Sequence, residues 1–212
     1  MDVIDITVPI QEGMPLWPGD PELKLRFHAS FKAGDSVCLT EASLCLHTGT
    51  HVDAPVHFLP GEDGVEALSL ETLMGPARVI EIENHECITS EELSTKNLEG
   101  ATRFLIKTRN SDARWWEKPF DPNFCHMTPE AAQLLLDNGM TLLGVDYLSV
   151  DPPEGDAPVH RLLMPRGLVL LEGLHLSHAH EGDYELIALP TLFTGRDGAP
   201  ARAVLRSLQA LA

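Results

Sequence analysis

The stretch 46–58, LHTGTHVDAPVHF, limits the fold of this chain more than any other. It places His47, His51, Asp53 and His57 within eleven residues, spaced H-x3-H-x-D-x3-H. Ten histidines in 212 residues would put about half a histidine in such a window by chance, so three is a clear enrichment. An i, i+4 histidine pair is the spacing of a helical ligand pair. Here Thr48, Gly49 and Thr50 intervene and Pro55 follows, and that composition opposes a helix. The segment is therefore read as extended. On a strand His51 and Asp53 project to one side, ~7 Å apart at Cα, whereas His47 would lie ~13 Å from His51 if the chain stayed straight. A bend at Gly49 brings His47 in, and Pro55 fixes the course of the chain before His57. Imidazole nitrogens and carboxylate oxygens are the donors that Zn²⁺ and similar divalent ions take. The pattern itself leaves open whether the site is a closed structural one or a catalytic one with a free position.

Around this segment the hydrophobic periodicity predicts strands over Val3–Ile10, Leu23–Phe31, Val37–Leu46, Arg78–Glu83, Arg103–Lys107, Thr141–Val145, Gly167–Leu171, Tyr184–Leu189 and Ala203–Leu205. MPLWPGDPE, with three prolines and a glycine, is a loop with fixed turns. Ser90–Leu98 reads as a short polar helix or irregular chain. The clearest helix opens at Thr128, which can cap it, continues through Pro129 at the first helical position and ends at Gly139. Its core-facing residues are Ala131, Leu134, Leu135 and Met140. DYLSVDPPEGDAPVH reads as a long loop. No repeat or linker interrupts the chain. The expected fold is one mixed α/β (α+β) domain over 1–212, with a central mixed or barrel-like sheet flanked by a few helices.

Composition narrows the partners. Fifteen basic against thirty-two acidic residues give −17, which disfavours nucleic acid and anionic membranes, since both are bound through Lys and Arg, and suits cations. Cys38, Cys45, Cys87 and Cys125 form no C-x-x-C pair and read as free thiols of a reducing compartment. The first ten residues lack the basic and apolar regions of a signal peptide, and the apolar run 167–174 is too short for a membrane span of ~20 residues. A cytoplasmic location is expected.

HTGTHVDAPVH resembles the H-x-G-[TA]-H-x-D-x-P-x-H signature of the cyclase family of metal-dependent hydrolases, which includes kynurenine formamidase (arylformamidase) and isatin hydrolase. IDITVPI with PLWPGD, TPEAAQLLLDNG with GVDYLSVDP, and GDYELIALP extend the resemblance over nearly the whole chain. It implies that His47, His51 and Asp53 bind a first metal, that Asp53 bridges to a second held by His160 and Glu172, and that His57 transfers protons. It also implies that Glu172 touches both ions and that Trp17 borders the substrate. Glu172 fits on its own terms, because a lone carboxylate in the apolar run GLVLLEGL is costly unless paired or metal-bound. The cofactor expected is a divalent metal, Zn²⁺ first and Mn²⁺ as the alternative, with one or two ions per subunit. His28, His85, His175, His178 and His180 read as surface residues and His126 as local structure, although His175, His178 and His180 lie close enough for a weak surface metal site. Glu81 and Glu83 read as solvated.

The resemblance further implies hydrolysis of an aryl formamide such as N-formylkynurenine, with a cyclic amide such as isatin as the alternative substrate. EGDAPVH before His160 departs from the serine- and lysine-containing stretch of the formamidases. A non-catalytic metal- or ligand-binding module on the same fold is the rival reading, and the retention of His57 speaks against it. A homodimer or homotetramer is expected, with the Trp17 loop a candidate for reaching across the interface.

Overall fold

A computed structural model describes residues 2–112 and 114–208. Among the described residues there are twelve strands: β1 (Val3–Asp5), β2 (Lys24–Ala29), β3 (Leu39–Ser43), β4 (His51–Asp53), β5 (Met74–Glu81), β6 (Cys87–Ile88), β7 (Arg103–Lys107), β8 (His126–Met127), β9 (Leu142–Val145), β10 (Val169–Glu172), β11 (Gly182–Pro190) and β12 (Gly198–Ser207). Five α-helices accompany them: α1 (Leu70–Leu73), α2 (Ser90–Leu93), α3 (Arg109–Asp112), α4 (Pro129–Asp137) and α5 (Pro158–Leu163).

The main sheet runs β1-β12-β11-β5-β7-β9-β10-β4, and an additional β12–β4 pairing closes seven of its strands into a ring. β12 makes this possible by dividing one edge between two partners. Residues 204–206 pair with β1 and residues 198–200 with β4, while the other edge pairs with β11. β5, β7, β9 and β10 run parallel in sequence, and the remaining ladders are antiparallel. Closure removes the open edges that the strands of the ring would otherwise present.

Strand alternation then sorts the side chains. Val79, Leu105, Gly144, Leu171, Val52 and Ala199 pair across successive strands and form a row on one face of the ring. All but Gly144 belong to a buried apolar cluster with Leu142, Leu174 and Leu205. A methyl group at Gly144 would collide with Leu105 and Leu174, so the packing there is already full. The opposite face carries Phe104, Leu143 and Leu170, which pack with Ala131 and Leu135 of α4 and with Val159 and Leu163 of α5. At β10 and β4 this same face turns polar. Asp53 pairs with Leu170, and His51 lies directly opposite Glu172.

The predicted mixed α/β fold with a barrel-like sheet is the one observed. Several boundaries differ. The first strand stops at Asp5, with only a bridge from Thr7 to Leu174 beyond it, because Pro9 cannot donate to a ladder. The next two strands are shorter than predicted, since Ser30 caps a 3-10 turn at Phe31–Ala33. β5 begins at Met74 and β12 extends over ten residues, both longer than the alternation alone indicates. The loop predicted through His160 instead ends in α5, which starts at Pro158 after Ala157 with φ +55°. On α4, Thr128 accepts from the Ala131 amide and Gly139 follows at φ +81°, as predicted; Ala131, Leu135 and Met140 are buried and Leu134 is half-buried. No described helix is long and apolar enough to cross a membrane.

Candidate metal centre

Gly49 lies at φ +70°, a conformation that strongly favours glycine, and it supplies the bend that returns His47 toward β4. Gly198, opposite Asp53, makes room for the imidazole: a methyl group there would sit 2.8 Å from His47 Cε1 and 2.8 Å from the Val52 carbonyl. β4 and β10 present His51, Asp53 and Glu172 from one face. α5 brings His160 over them, and a 3-10 turn at Pro55–His57 places His57 beside them.

Three imidazoles are each anchored through one ring nitrogen. His47 Nε2 donates to Asp197 Oδ2 at 2.8 Å, His51 Nδ1 to the Gly49 carbonyl at 3.0 Å, and His160 Nδ1 to Asp151 Oδ2 at 2.6 Å. The other nitrogens converge. His47 Nδ1 lies 2.9 Å and His51 Nε2 3.4 Å from Asp53 Oδ1, and His160 Nε2 lies 3.3 Å from Asp53 Oδ2 and 3.5 Å from Glu172 Oε1. His51 Nε2 is also 3.5 Å from Glu172 Oε2. Despite these approaches, His51 Nε2 and Asp53 Oδ1 are buried without a hydrogen-bond partner. The short His47–Asp53 separation is therefore a proximity without hydrogen-bond alignment, and both atoms face shared space. Buried polar atoms are ordinarily satisfied. An imidazole nitrogen and a carboxylate oxygen left unpaired in this way, the imidazole held from behind by the Gly49 carbonyl, are what a cation requires. His51, Asp53 and Glu172 place donor atoms within 4.8 Å of one another, as do His47, Asp53 and His57.

The electrostatics agree. Burial would push His51 and His160 down, but the surrounding carboxylates outweigh it and raise both to about 10. Burial would raise Asp53, yet His47, His160 and His51 hold its carboxyl well below the usual range. The carboxylates thus demand positive charge between them, which either protons or a metal ion can supply, and a metal binds such a site with release of protons. His57 differs. Burial pushes its imidazole below the ordinary value, its side chain is 31 % exposed, and it stacks on His47 at 4.2 Å.

The group opens into a cavity of about 410 Å³ lined by Trp17, His47, His51, His57, His160 and Glu172, with Phe58, Leu148 and Arg161 among the other walls. Trp17 packs edge-on against Phe120 and Phe124 of its own chain, so this wall of the cavity is built in cis. Phe58 stacks on His160 at 4.5 Å. All six residues anticipated as ligands or proton carrier meet here, with Trp17 at the rim. Sequence reasoning missed Asp197 and Asp151. Asp151 also accepts from the Val159 and His160 amides at 2.9 Å, so one carboxylate both starts α5 and aims its histidine. His175 and His178 have ring centres 5.5 Å apart, but no third ligand joins them among the described residues. His175 is half-buried against Trp116 instead of lying on the surface.

The sequence profile of the family described as "Putative cyclase" matches residues 4–152. The chain belongs to this cyclase family. A relative in the family, the kynurenine formamidase of Bacillus cereus, is 38% identical over 208 residues, covering 97% of each chain. A solved structure titled as a potential metal-dependent hydrolase with cyclase activity superposes with a TM-score of 0.83 at 32% identity, covering 96% of each chain. Isatin hydrolase A from Labrenzia aggregata has the same fold, with a TM-score of 0.83 at 24% identity over 98% of this chain and 94% of that one.

Proposed function

We propose that the chain is a metal-dependent amide hydrolase of the arylformamidase type, acting on N-formylkynurenine or a related aryl formamide. The observation that carries this reading is the convergence of three back-anchored imidazoles on the buried Asp53 carboxylate, His47 and His51 on its unpaired Oδ1 and His160 on Oδ2, at the floor of an aromatic-walled cavity. His47, His51, Asp53, His160 and Glu172 are the ligands in this reading, with Asp53 positioned between two ion sites. Their nitrogen- and carboxylate-rich donor set suits Zn²⁺, with Mn²⁺ compatible. A divalent ion bound there supplies Lewis-acid polarisation of the carbonyl and water acidified toward neutrality.

The chain's own residues do the rest. Trp17 offers an aromatic face to the ring of the substrate. His57, neutral at pH 7, accepts the proton of the attacking water on its imidazole and passes it to the departing nitrogen, so that the formamide C–N bond breaks to formate and the free arylamine. The depressed pKa of His57 supports the basic role, and its exposure toward the cavity supports access to substrate. The same residues would open a cyclic amide such as isatin, and the kinship in fold with isatin hydrolase favours keeping that as the second substrate.

The reading extends to a homodimer or homotetramer and, with four unpaired cysteines, to the cytoplasm. Elemental analysis of the purified protein, with a hydrolysis screen on N-formylkynurenine, isatin and simple aryl formamides, tests it. Metal bound with turnover of the formamides is expected. Metal bound without hydrolysis of any of them would favour a binding module.

A further inference from the structure

Two successive residues of α5 line the cavity, His160 over the carboxylates of β4 and β10 and Arg161 at the wall. His160 belongs to the metal centre; Arg161 takes no part in it. Among the described residues that line the cavity, Arg161 is the only lysine or arginine, and Asp20, Asp151, Asp156 and Glu172 stand around it. One cation is thus placed in an otherwise acidic enclosure, on a chain of net charge −17.

The way its guanidinium is used sets Arg161 apart. Each of the other nine arginines gives at least one terminal nitrogen to a carboxylate or carbonyl oxygen of the chain. Arg161 gives only Nε, which donates to the Asp156 carbonyl at 2.6 Å. Among the described residues its Nη1 and Nη2 have neither a hydrogen-bond nor an ion-pair partner. The side chain is nevertheless held in place. Its Nε bond orients the plane, and the guanidinium carbon lies 5.9 Å from the centre of the Phe58 ring, within cation–π range. The two uncommitted nitrogens form the end of a planar fork, the shape that matches a carboxylate.

Spacing ties this fork to the reacting centre. The Phe58 ring centre is 4.5 Å from that of His160, so the guanidinium carbon is at most about 10 Å from the His160 ring. In N-formylkynurenine about seven bonds join the formyl carbon to the carboxylate carbon, a reach of up to ~8 Å at the advance per bond of an extended chain. One molecule can therefore present its formamide to the metal centre and its carboxylate to Arg161. A formanilide without an acid group leaves the fork in solvent and gains nothing from it.

We infer that Arg161 is a specificity-determining residue that selects, among aryl formamides, those carrying a free carboxylate on the substituent beside the formamide. The inference rests on the hydrolase reading above. Asp20 and Asp156 sharpen the choice, because an anionic group that misses the fork meets like charge.

Two measurements on the metal-loaded full chain test it. The first compares kcat/KM for N-formylkynurenine and for its α-carboxamide, which has nearly the same shape without the negative charge. The wild type should prefer the acid on the order of 10-fold, the low end for a charged hydrogen-bonded pair because the fork is open to solvent. In Arg161→Gln the preference should collapse to about unity through a higher KM for the acid, and Arg161→Lys, a point charge without a fork, should keep part of it. The second is calorimetric binding of the two amine products, kynurenine and its carboxamide, with the same preference and the same collapse expected. Equal kcat/KM for acid and carboxamide in the wild type, or an Arg161→Gln variant that slows both equally, would overturn the inference and leave the hydrolase reading standing. If neither formamide is hydrolysed, that reading fails and the binding measurement decides on Arg161 alone. Kynurenine bound more tightly than its carboxamide by the wild type but not by Arg161→Gln sustains the inference; equal binding, or none, overturns it.

Discussion

Asp151→Asn tests the logic of the metal centre with the smallest change of shape. The Asp151 carboxylate is 2 % exposed and accepts three hydrogen bonds: Val159 N on Oδ1, and His160 N and Nδ1 on Oδ2. Asparagine has one oxygen. If that oxygen keeps both His160 contacts, the new NH₂ faces the Val159 amide donor to donor; if it turns to Val159, His160 loses both. Leaving one buried donor unsatisfied costs about 1–3 kcal/mol. For a chain of this size that is a fall in Tm of roughly 2–4 °C per kcal/mol. His160 Nδ1 also loses its charged acceptor, and loss of such an outer partner typically weakens metal affinity 10–100-fold. The assay is chelator competition for Zn²⁺ and Mn²⁺ alongside calorimetric unfolding with and without metal. Asp151→Asn should show both deficits, with the metal-dependent share of the Tm loss disappearing in chelator. A variant that binds metal within twofold of wild type while losing only stability would refute the claim that Asp151 aims His160, and would leave it as the cap of α5 alone.

Further outcomes follow from the same geometry. His57→Ala should retain its metal and lose hydrolysis by about 10²–10⁴-fold, as removal of a general acid–base group does; loss of metal by elemental analysis would make His57 a ligand instead. Because burial holds His57 below its usual pKa, the base form persists to lower pH, and the acid limb of kcat/KM should fall below pH 6.5; a pH–rate profile with that limb above 6.5 contradicts the assignment. Gly173→Ala should abolish soluble folding, since Gly173 sits at φ +70° and a Cβ there collides with the Gly49 carbonyl behind His51; a Tm near wild type would refute it. Chelation should lower the Tm, because an ion held at a hundred times its Kd contributes about 2.7 kcal/mol, and calorimetry in EDTA reads this directly.

The local half of the site was legible in the sequence because its physics is local. Gly49 and Pro55 exclude a helix, and the period of a strand puts His51 and Asp53 on one side, where β4 has them. Glu172 stood out as a charge in an apolar run, and its place opposite His51 explains why it is tolerated. α4 was legible from Thr128, Pro129 and Gly139 alone. What escaped depended on tertiary context. Asp197 lies in a turn whose composition carries no ligand signal, and only the closure of β12 onto β4 brings it to His47. α5 was hidden because Ala157, at a positive φ uncommon for alanine, starts the helix inside a proline-rich stretch, with an acidic cap six residues upstream instead of at the helix terminus. The length of β12 was underestimated because Pro200 and the alanines around it carry little β propensity, and pairing on both edges overrides that.

The seam at β12 fixes when the protein can become active. His47 and the carboxylate that orients it are 150 residues apart in sequence, and β4 is held on one side only by the strand that follows that carboxylate. At ~5–20 residues per second, a ribosome takes roughly 8–30 s to make the intervening chain. During that interval the histidine-rich segment leaves the tunnel, carrying its imidazoles and Asp53 but lacking the wall that arranges them. Metal capture in the native geometry is therefore a late event in the life of each molecule, tied to the emergence of its last strand. Such dependence on distant pairing also predicts slow folding.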